Sequence, residues 1–254
     1  MGKLKRLLFS DSAVLRHALV WLALGALFAA PVAARAEGFF DLYLGAGFPQ
    51  NSDIDTDADD PIVDADIDYT NDVDWDTTES FGMRGGYWFE FEEIGPSFLG
   101  IGLDLSFYRA FEDSNFAELE VWATPLTPLL MLRAPLGYSE NFPGGRVQPY
   151  IAVGPGFTLA FAEADLSEIP PSQDIAFEDF DAVGFGVGFD GRAGLAIQLS
   201  RHFALFGEYR YTYVEPHFED EIDVASAPFS FETDVEIEPD LETHHVVFGA
   251  SFRF

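Results

Sequence analysis

The fold class that the sequence predicts is all-β: an eight-stranded antiparallel up-and-down transmembrane β-barrel with long acidic extracellular loops. Three observations predict it. The final stretch, residues 241–254, alternates. Val246, Phe248, Ala250, Phe252 and Phe254 are apolar, and Gly249, Ser251 and Arg253 stand between them. Such alternation describes a strand with one apolar and one polar face, the pattern of a strand that meets lipid outside and a lumen inside. Second, no apolar run after residue 36 reaches the ~20 residues of a membrane-spanning helix, although the chain carries 27 phenylalanines. Third, strand-like runs recur eight times, an even number, as closure in lipid requires.

The chain opens on a basic start, Lys3, Lys5, Arg6 and Arg16. An apolar run over 18–30 follows, and then Ala34-Arg35-Ala36. Basic start, short apolar run and small-x-small site together read as a signal peptide over 1–36, cleaved to leave a barrel domain over 37–254. An uncleaved anchor is the alternative, but the run is short for a span.

The eight strands are expected at 39–48, 79–91, 99–109, 119–133, 147–161, 182–200, 203–214 and 241–254. Connections 92–98, 134–146 and 201–202 are short or moderate. Connections 49–78, 110–118, 162–181 and 215–240 are mostly longer and acidic. Short turns belong to the periplasm and long loops to the outside, so both termini should be periplasmic. Pro125 and Pro128 each remove a ladder donor, so a bulge or irregular pairing is expected in the fourth strand.

Composition narrows the partners. The net charge is -31, which argues against nucleic acid. Beyond residue 36 there are 8 arginines, no lysine and 43 acids. The absence of cysteine excludes disulfides and thiolate chemistry.

Three stretches carry a family resemblance: RVQPYIAVGPGF at 146–157, FGEYRYTY at 206–213, and 246–254 with its terminal phenylalanine. In these the chain resembles the small outer-membrane β-barrel domain family of the OmpA/OmpX type, over 37–254. The resemblance implies an integral protein of the cell envelope of a Gram-negative-type bacterium. It also implies a closing strand, with Val246, Phe248, Phe252 and Phe254, that is read by the outer-membrane assembly machinery. It does not specify an activity.

Parity assigns faces. Leu42, Leu44, Ala46 and Phe48 outward put Asp41 inward. Met83, Tyr87 and Phe89 put Arg84 and Glu90 inward, and Leu103, Leu105 and Phe107 put Asp104 inward. Val187, Phe189, Ala193 and Leu195 put Asp190 and Arg192 inward; Tyr209, Tyr211 and Tyr213 put Glu208 and Arg210 inward, and Arg253 joins from the last strand. An eight-stranded interior is just wide enough for side chains to fill, so an ion-pair plug is expected. A polar pore constriction is the alternative. Gly184, Gly186 and Gly188 are expected to leave room for long arginines or water.

Residues 51–76 carry eleven aspartates. The run 64–69 alternates, Thr70-Asn71-Asp72 reads as a turn, and 73–76 alternates again, which predicts a hairpin above the bilayer. Residues 229–237 alternate too, so the barrel should continue as a crown. Ile67, Tyr69, Val73, Trp75, Phe231, Val235 and Ile237 form an apolar crown face, which either covers itself or offers a docking edge. No cofactor is expected. A calcium site in the acidic loop Asp53–Asp60 is the weaker alternative to a solvated loop, because Ala58 stands where an EF-hand turn needs glycine. The lipid partners expected are outer-membrane lipid and lipopolysaccharide, with Arg109 near the rim able to meet a lipid phosphate. An extracellular ligand is a further candidate partner.

No catalytic set emerges. Nucleophilic chemistry needs a nucleophile and a base within reach of one another. His244 is outward and His245 inward, both near the rim, with Ser226 and Ser230 in the adjoining loop, and no spacing singles out a pair. The expected role is structural or surface-interacting. A small pore for ions or solutes and a lipid-modifying enzyme are the alternatives.

Overall fold

A computed structural model describes residues 36–50, 52–60, 65–73, 76–91, 95–113, 118–142, 144–165, 175–177, 180–226 and 229–254. Its twelve strands are β1 (Ala36–Pro49), β2 (Ser52–Asp60), β3 (Ala65–Val73), β4 (Thr78–Phe91), β5 (Gly95–Asp113), β6 (Glu118–Arg133), β7 (Val147–Asp165), β8 (Ile175–Phe177), β9 (Phe180–Ser200), β10 (Phe203–Ser226), β11 (Phe229–Pro239) and β12 (Leu241–Arg253).

Eight of these are the staves of a closed antiparallel barrel, in the order β1-β4-β5-β6-β7-β9-β10-β12. The ring shuts because β12 pairs with both β10 and β1. The pairing also fixes the stagger. From Gly194, the partners run through Glu208, Val247, Gly45, Ser80, Tyr108, Ala123 and Ala160 to Gly184, so one circuit returns to β9 ten residues displaced. Tilt and stagger are linked in a barrel, and the tilt that goes with such a shear is roughly 35–45°.

The alternation read from the sequence is the observed burial. Leu44, Phe185, Phe248 and Phe254 stand more than half exposed on the outer wall, while Asp41, Asp104, Ala160 and Val247 are sealed inside. One outward residue is covered rather than exposed. Leu105 stands between Met83 and Leu126 in the ladder, on the outward parity, yet is only 4% exposed.

The prolines of β6 interrupt pairing without shifting it. The ladder to β5 lapses between Leu105↔Leu126 and Tyr108↔Ala123, and the ladder to β7 between Leu126↔Phe157 and Leu130↔Val153. The register is the same on both sides of each gap, so the irregularity is a lost donor rather than a bulge. Gly154 fits this spot because its Cα lies against the Pro128 carbonyl, where a Cβ would be 2.0 Å from the oxygen.

Beyond the staves stands a crown. β11, β2 and β3 continue outward from β10, and β8 pairs with the distal end of β10. A transmembrane strand needs about 9–11 residues; β10 has 24, so much of it rises clear of the lipid. The predicted hairpin exists, but its turn is elsewhere. Thr70, Asn71 and Asp72 lie within β3, paired with Asp55, Ile54 and Asp53, and the link between the strands falls at 61–64, outside the described residues. Asp53–Asp60, read as a loop, is strand β2. The Thr-Asn-Asp turn signal lost to a stronger one, because Pro61 follows Asp60 in sequence and has no N–H for a ladder. This register sets Asp57 opposite Asp68, Asp59 opposite Asp66, and Glu236 opposite Asp57. The crown side chains over 51–75 and 219–239, and with them the predicted apolar crown face, lie outside the described residues, as does the Glu90 side chain.

Candidate functional site

Among the described residues the lumen gathers the densest set of charged side chains. Tilted alternating strands aim every second side chain at the axis. The sequence places arginine or a carboxylate at those positions on β1, β4, β5, β9 and β10.

At mid-height three guanidiniums face four carboxylates. Arg84 Nε donates to Asp41 Oδ2 at 2.9 Å, and its Nη1 donates to Glu208 Oε2 at 2.7 Å. Arg192 clasps Asp190 through Nε (2.5 Å) and Nη2 (2.8 Å), and its Nη1 reaches Asp104 Oδ2 at 2.7 Å. Arg210 lies 3.3 Å from Glu208 and 3.5 Å from Asp104. Tyr43 donates to Asp104 at 2.9 Å, and Tyr150 donates to Glu208 at 2.7 Å. All of these groups are buried. In so dry a place an uncompensated charge costs several kcal/mol, which the interlocking contacts avoid.

Toward the termini lies a second charged layer, of which parity reading found Arg253 and missed Glu37 and Arg133. Arg133 donates to Glu37 at 2.6 Å and to Gln148 Oε1 at 3.2 Å, and Arg253 sits 3.5 Å from the same Glu37. Among the described side chains two guanidiniums therefore share the Glu37 carboxylate here, while the central layer holds one carboxylate in excess. The described lumen balances at five arginines and five acids. Asp41, Arg84, Asp104, Asp190, Arg192, Glu208, Arg210 and Arg253 are all luminal as predicted. Glu90 is the one predicted member whose side chain is not described. Arg133 was missed because Pro125 and Pro128 obscure the face pattern of β6. The exposed series Trp122, Leu130 and Leu132 would have exposed its inward parity.

The inward glycines do not leave the space expected of them. Rings from adjacent strands fill it. Tyr43 lies where a Cβ on Gly82 would be, Trp88 lies over Gly100, Tyr150 over Gly194, Phe206 over Gly249 and Phe218 over Gly184, each within 2.4–2.8 Å of that Cβ position. Val214 and the Glu215 carbonyl occupy the corresponding place at Gly186, and the Tyr213 carbonyl occupies it at Gly188. The rings also carry charge contacts: Arg133 stacks on Trp88 at 4.5 Å and Arg210 on Tyr43 at 4.7 Å.

Toward the crown the lumen turns apolar. Above Arg210 comes His245, whose Nε2 is 3.0 Å from Thr212 Oγ1 and whose ring meets Tyr108 edge-on at 4.9 Å. Beyond it lie Ala110, Val121, Ala160, Ala162, Ala182, Val214, Phe218 and Leu241, all buried together. An ion on the axis would meet a charge-locked layer and an apolar one in series.

The outer wall carries two polar rim sites. His244 bonds Tyr209 OH through Nδ1 at 2.5 Å and Gln50 through Nε2. Arg109 lies between the Phe111 and Trp122 rings, 3.3 Å from Glu120 and 3.7 Å from Glu79. Val246, Phe248, Phe252 and Phe254 all point outward. Phe254 N–H and C=O pair with Gly38, which ties the end of the chain into the ring. No serine is among the described partners of either rim histidine. Among the described residues no group of three or more His, Cys, Asp or Glu is arranged to hold a metal. The side chains of Asp53–Asp60 are outside that set.

A family model described as outer membrane protein beta-barrel domain matches residues 20–254. No curated protein sequence matches the chain. Among solved structures it is similar to the outer membrane protein OprG from Pseudomonas aeruginosa, at 18% identity and a TM-score of 0.50, over 87% of this chain and 97% of that one. It is also similar to Neisserial surface protein A, at 13% identity and a TM-score of 0.41, over 85% and 97%. A third is Ail of Yersinia pestis in complex with the heparin analogue sucrose octasulfate, at 13% identity and a TM-score of 0.41, over 87% and 99%. At such identities the likeness is one of fold.

Proposed function

The chain belongs to the outer membrane protein beta-barrel domain family, and from that membership we propose that it is a sealed membrane anchor displaying an acidic β-sheet crown for surface interaction. The observation that carries this reading is the lumen. Arg84, Arg192 and Arg210 are bound from several sides by Asp41, Asp104, Asp190 and Glu208, with aromatic rings below and an apolar layer above. A conducting pore needs mobile water along its axis, and this packing supports its exclusion. The crown spans four extra strands and the distal part of β10, far more structure than membrane anchoring requires.

In this reading both termini face the periplasm, the crown faces outward, and β12 is presented to the assembly machinery. The rim meets lipopolysaccharide, with Arg109 the basic group offered there. In this reading the protein is not an enzyme: His244 on the outer wall is held by Gln50 and Tyr209, and His245 is sealed inside the lumen against Thr212 and Tyr108, out of reach of a lipid substrate.

The test is planar-bilayer conductance of the refolded mature protein, followed by binding to cells or matrix polymers with and without residues 52–73. A silent barrel whose binding is lost with the hairpin is the expected result. Stepwise single-channel currents would overturn the sealed reading. Lipid deacylation that disappears in His244→Ala would overturn the non-enzymatic one.

A further inference from the structure

The crown grows out of the barrel as two continuous hairpins. One register runs from Ala36↔Phe89 through Gly47↔Thr78 to Ser52↔Val73 and Asp60↔Ala65, so β2 and β3 extend β1 and β4. Another runs from Phe203↔Phe252 through Val214↔Leu241 to Phe218↔Ile237 and Ser226↔Phe229, so β11 extends β12 alongside β10. Each hairpin carries nine ladder pairs in the crown, whereas the seam between them, β11 against β2, carries five. The seam is also out of step with the wall below it. Pro49 faces Thr243 but Ile54 faces Pro239, so five steps along one edge match four along the other. β11 and β2 lie far apart in the chain, and Pro239 brings no N–H to the ladder.

Cross-strand partners share one face of a sheet, so the register sorts the crown positions. Glu219, Glu236, Asp57 and Asp68 form a single row across all four strands. Two of the five seam pairs set acid against acid, Glu236↔Asp57 and Glu238↔Asp55. The nearest charged positions on that face are again facing acids, Glu221↔Asp234 on one hairpin and Asp59↔Asp66 on the other. The opposite face takes Ile67, Tyr69, Phe231 and Val235, with Asp60 and Asp220 its acids. No lysine or arginine occurs over 51–76 or 215–240. The one base there is His217, on the acidic face of β10 and one position before its first pair with β11.

Like charges directly opposite one another weaken a sheet. Salt screens them, and a proton shared between two facing carboxyls removes the repulsion. Each hairpin resists the repulsion with nine pairs and a short chain link. The seam has fewer pairs, no link and a slipped register, so it yields first. We propose that the β11–β2 seam is a joint worked by protons and salt. With Asp55, Asp57, Glu236 and Glu238 ionised in dilute electrolyte, the crown parts into two hairpins tethered to their staves. Protonation or screening zips it into the four-stranded wall, while the barrel beneath stays closed.

The chain has no cysteine, so pairs of spin labels can be placed by substitution on the full mature protein, refolded in detergent. Ala58→Cys with Val235→Cys spans the seam, and Ala58→Cys with Ile67→Cys spans the β2–β3 hairpin. Dipolar broadening is read from about pH 7.5 to about 4.5, in dilute buffer and in ~0.3 M salt. The seam pair should lose its broadening at high pH in dilute buffer and regain it on acidification or on addition of salt. The hairpin pair should stay broadened throughout. Replacing the four seam acids together, Asp55→Asn, Asp57→Asn, Glu236→Gln and Glu238→Gln, should hold the seam closed at every pH. Asp223→Asn with Glu232→Gln, at the far end of the β10–β11 hairpin, should leave the opening in place. The heat-modifiable gel shift reports that the barrel is folded in each variant. A seam closed at high pH in dilute buffer, or open after acidification, would overturn the proposal. So would a pH response that survives replacement of the four seam acids, or an equal loss of broadening in the hairpin pair.

Discussion

Tyr150 donates its phenolic proton to Glu208 Oε2 at 2.7 Å, and the same oxygen receives Arg84 Nη1 at 2.7 Å. A side chain from β7 therefore helps hold a carboxylate on β10 against an arginine on β4. Removing the hydroxyl alone tests this join. Tyr150→Phe keeps the ring that covers Gly194 and should cost about 0.5–1.5 kcal/mol, since Glu208 retains its arginine partners. Urea titration of the barrel in detergent measures it; an unchanged midpoint would show the bond to be dispensable.

Truncation of a luminal arginine should be far more damaging. Arg192→Ala takes from Asp190 the guanidinium that clasps it and leaves Asp104 with Tyr43 and the more distant Arg210, both carboxylates being 0–1% exposed. Loss of one partner of a buried pair costs about 3–5 kcal/mol. The heat-modifiable gel shift of the folded barrel reports the loss. The variant should still not conduct, because the apolar layer from Ala110 to Leu241 remains above the gap.

The ring-over-glycine packing predicts a position-specific intolerance. Gly194→Val drives its Cβ to about 2.5 Å from the Tyr150 ring, and overpacking of this kind costs about 1–3 kcal/mol. Gly191→Ala, on the outer wall, meets only the edge of the Phe189 ring at 3.3 Å and should be close to neutral. Equal effects in the two variants, compared by denaturant midpoint, would contradict the packing role.

Like charges directly opposite one another weaken a sheet, and exposed charges are screened by salt. The crown register, with Asp57 facing both Asp68 and Glu236, therefore predicts that its amides gain hydrogen-exchange protection as ionic strength rises. Amides of β12 and β1 within the barrel should show no such gain. A crown whose exchange ignores salt would mean that its pairing is held by something other than the backbone ladder.

Much of this was legible in the chain before any coordinates. The alternation of β12, β9 and β10 gave both their type and their faces, because a period of two in lipid leaves one answer. Eight luminal charges follow from parity alone. What parity could not give was register. Asp53–Asp60 and 64–76 alternate equally well in several pairings, and only turn chemistry at Pro61 separates them. Glu37 was hidden because the first strand starts at Ala36, before its apolar signal begins at Phe39. The fate of the inward glycines depends on which ring lies across each one, a matter of neighbouring strands that no single segment encodes.

The bridge from Asp41 through Arg84 to Glu208 joins the first, second and seventh staves of the ring. An open ribbon would carry those groups bare on one side, with hydrocarbon barred to it by their hydration. Entry into the bilayer and the meeting of first and last edges must then be a single event: the molecule zips itself shut in order to become soluble in oil.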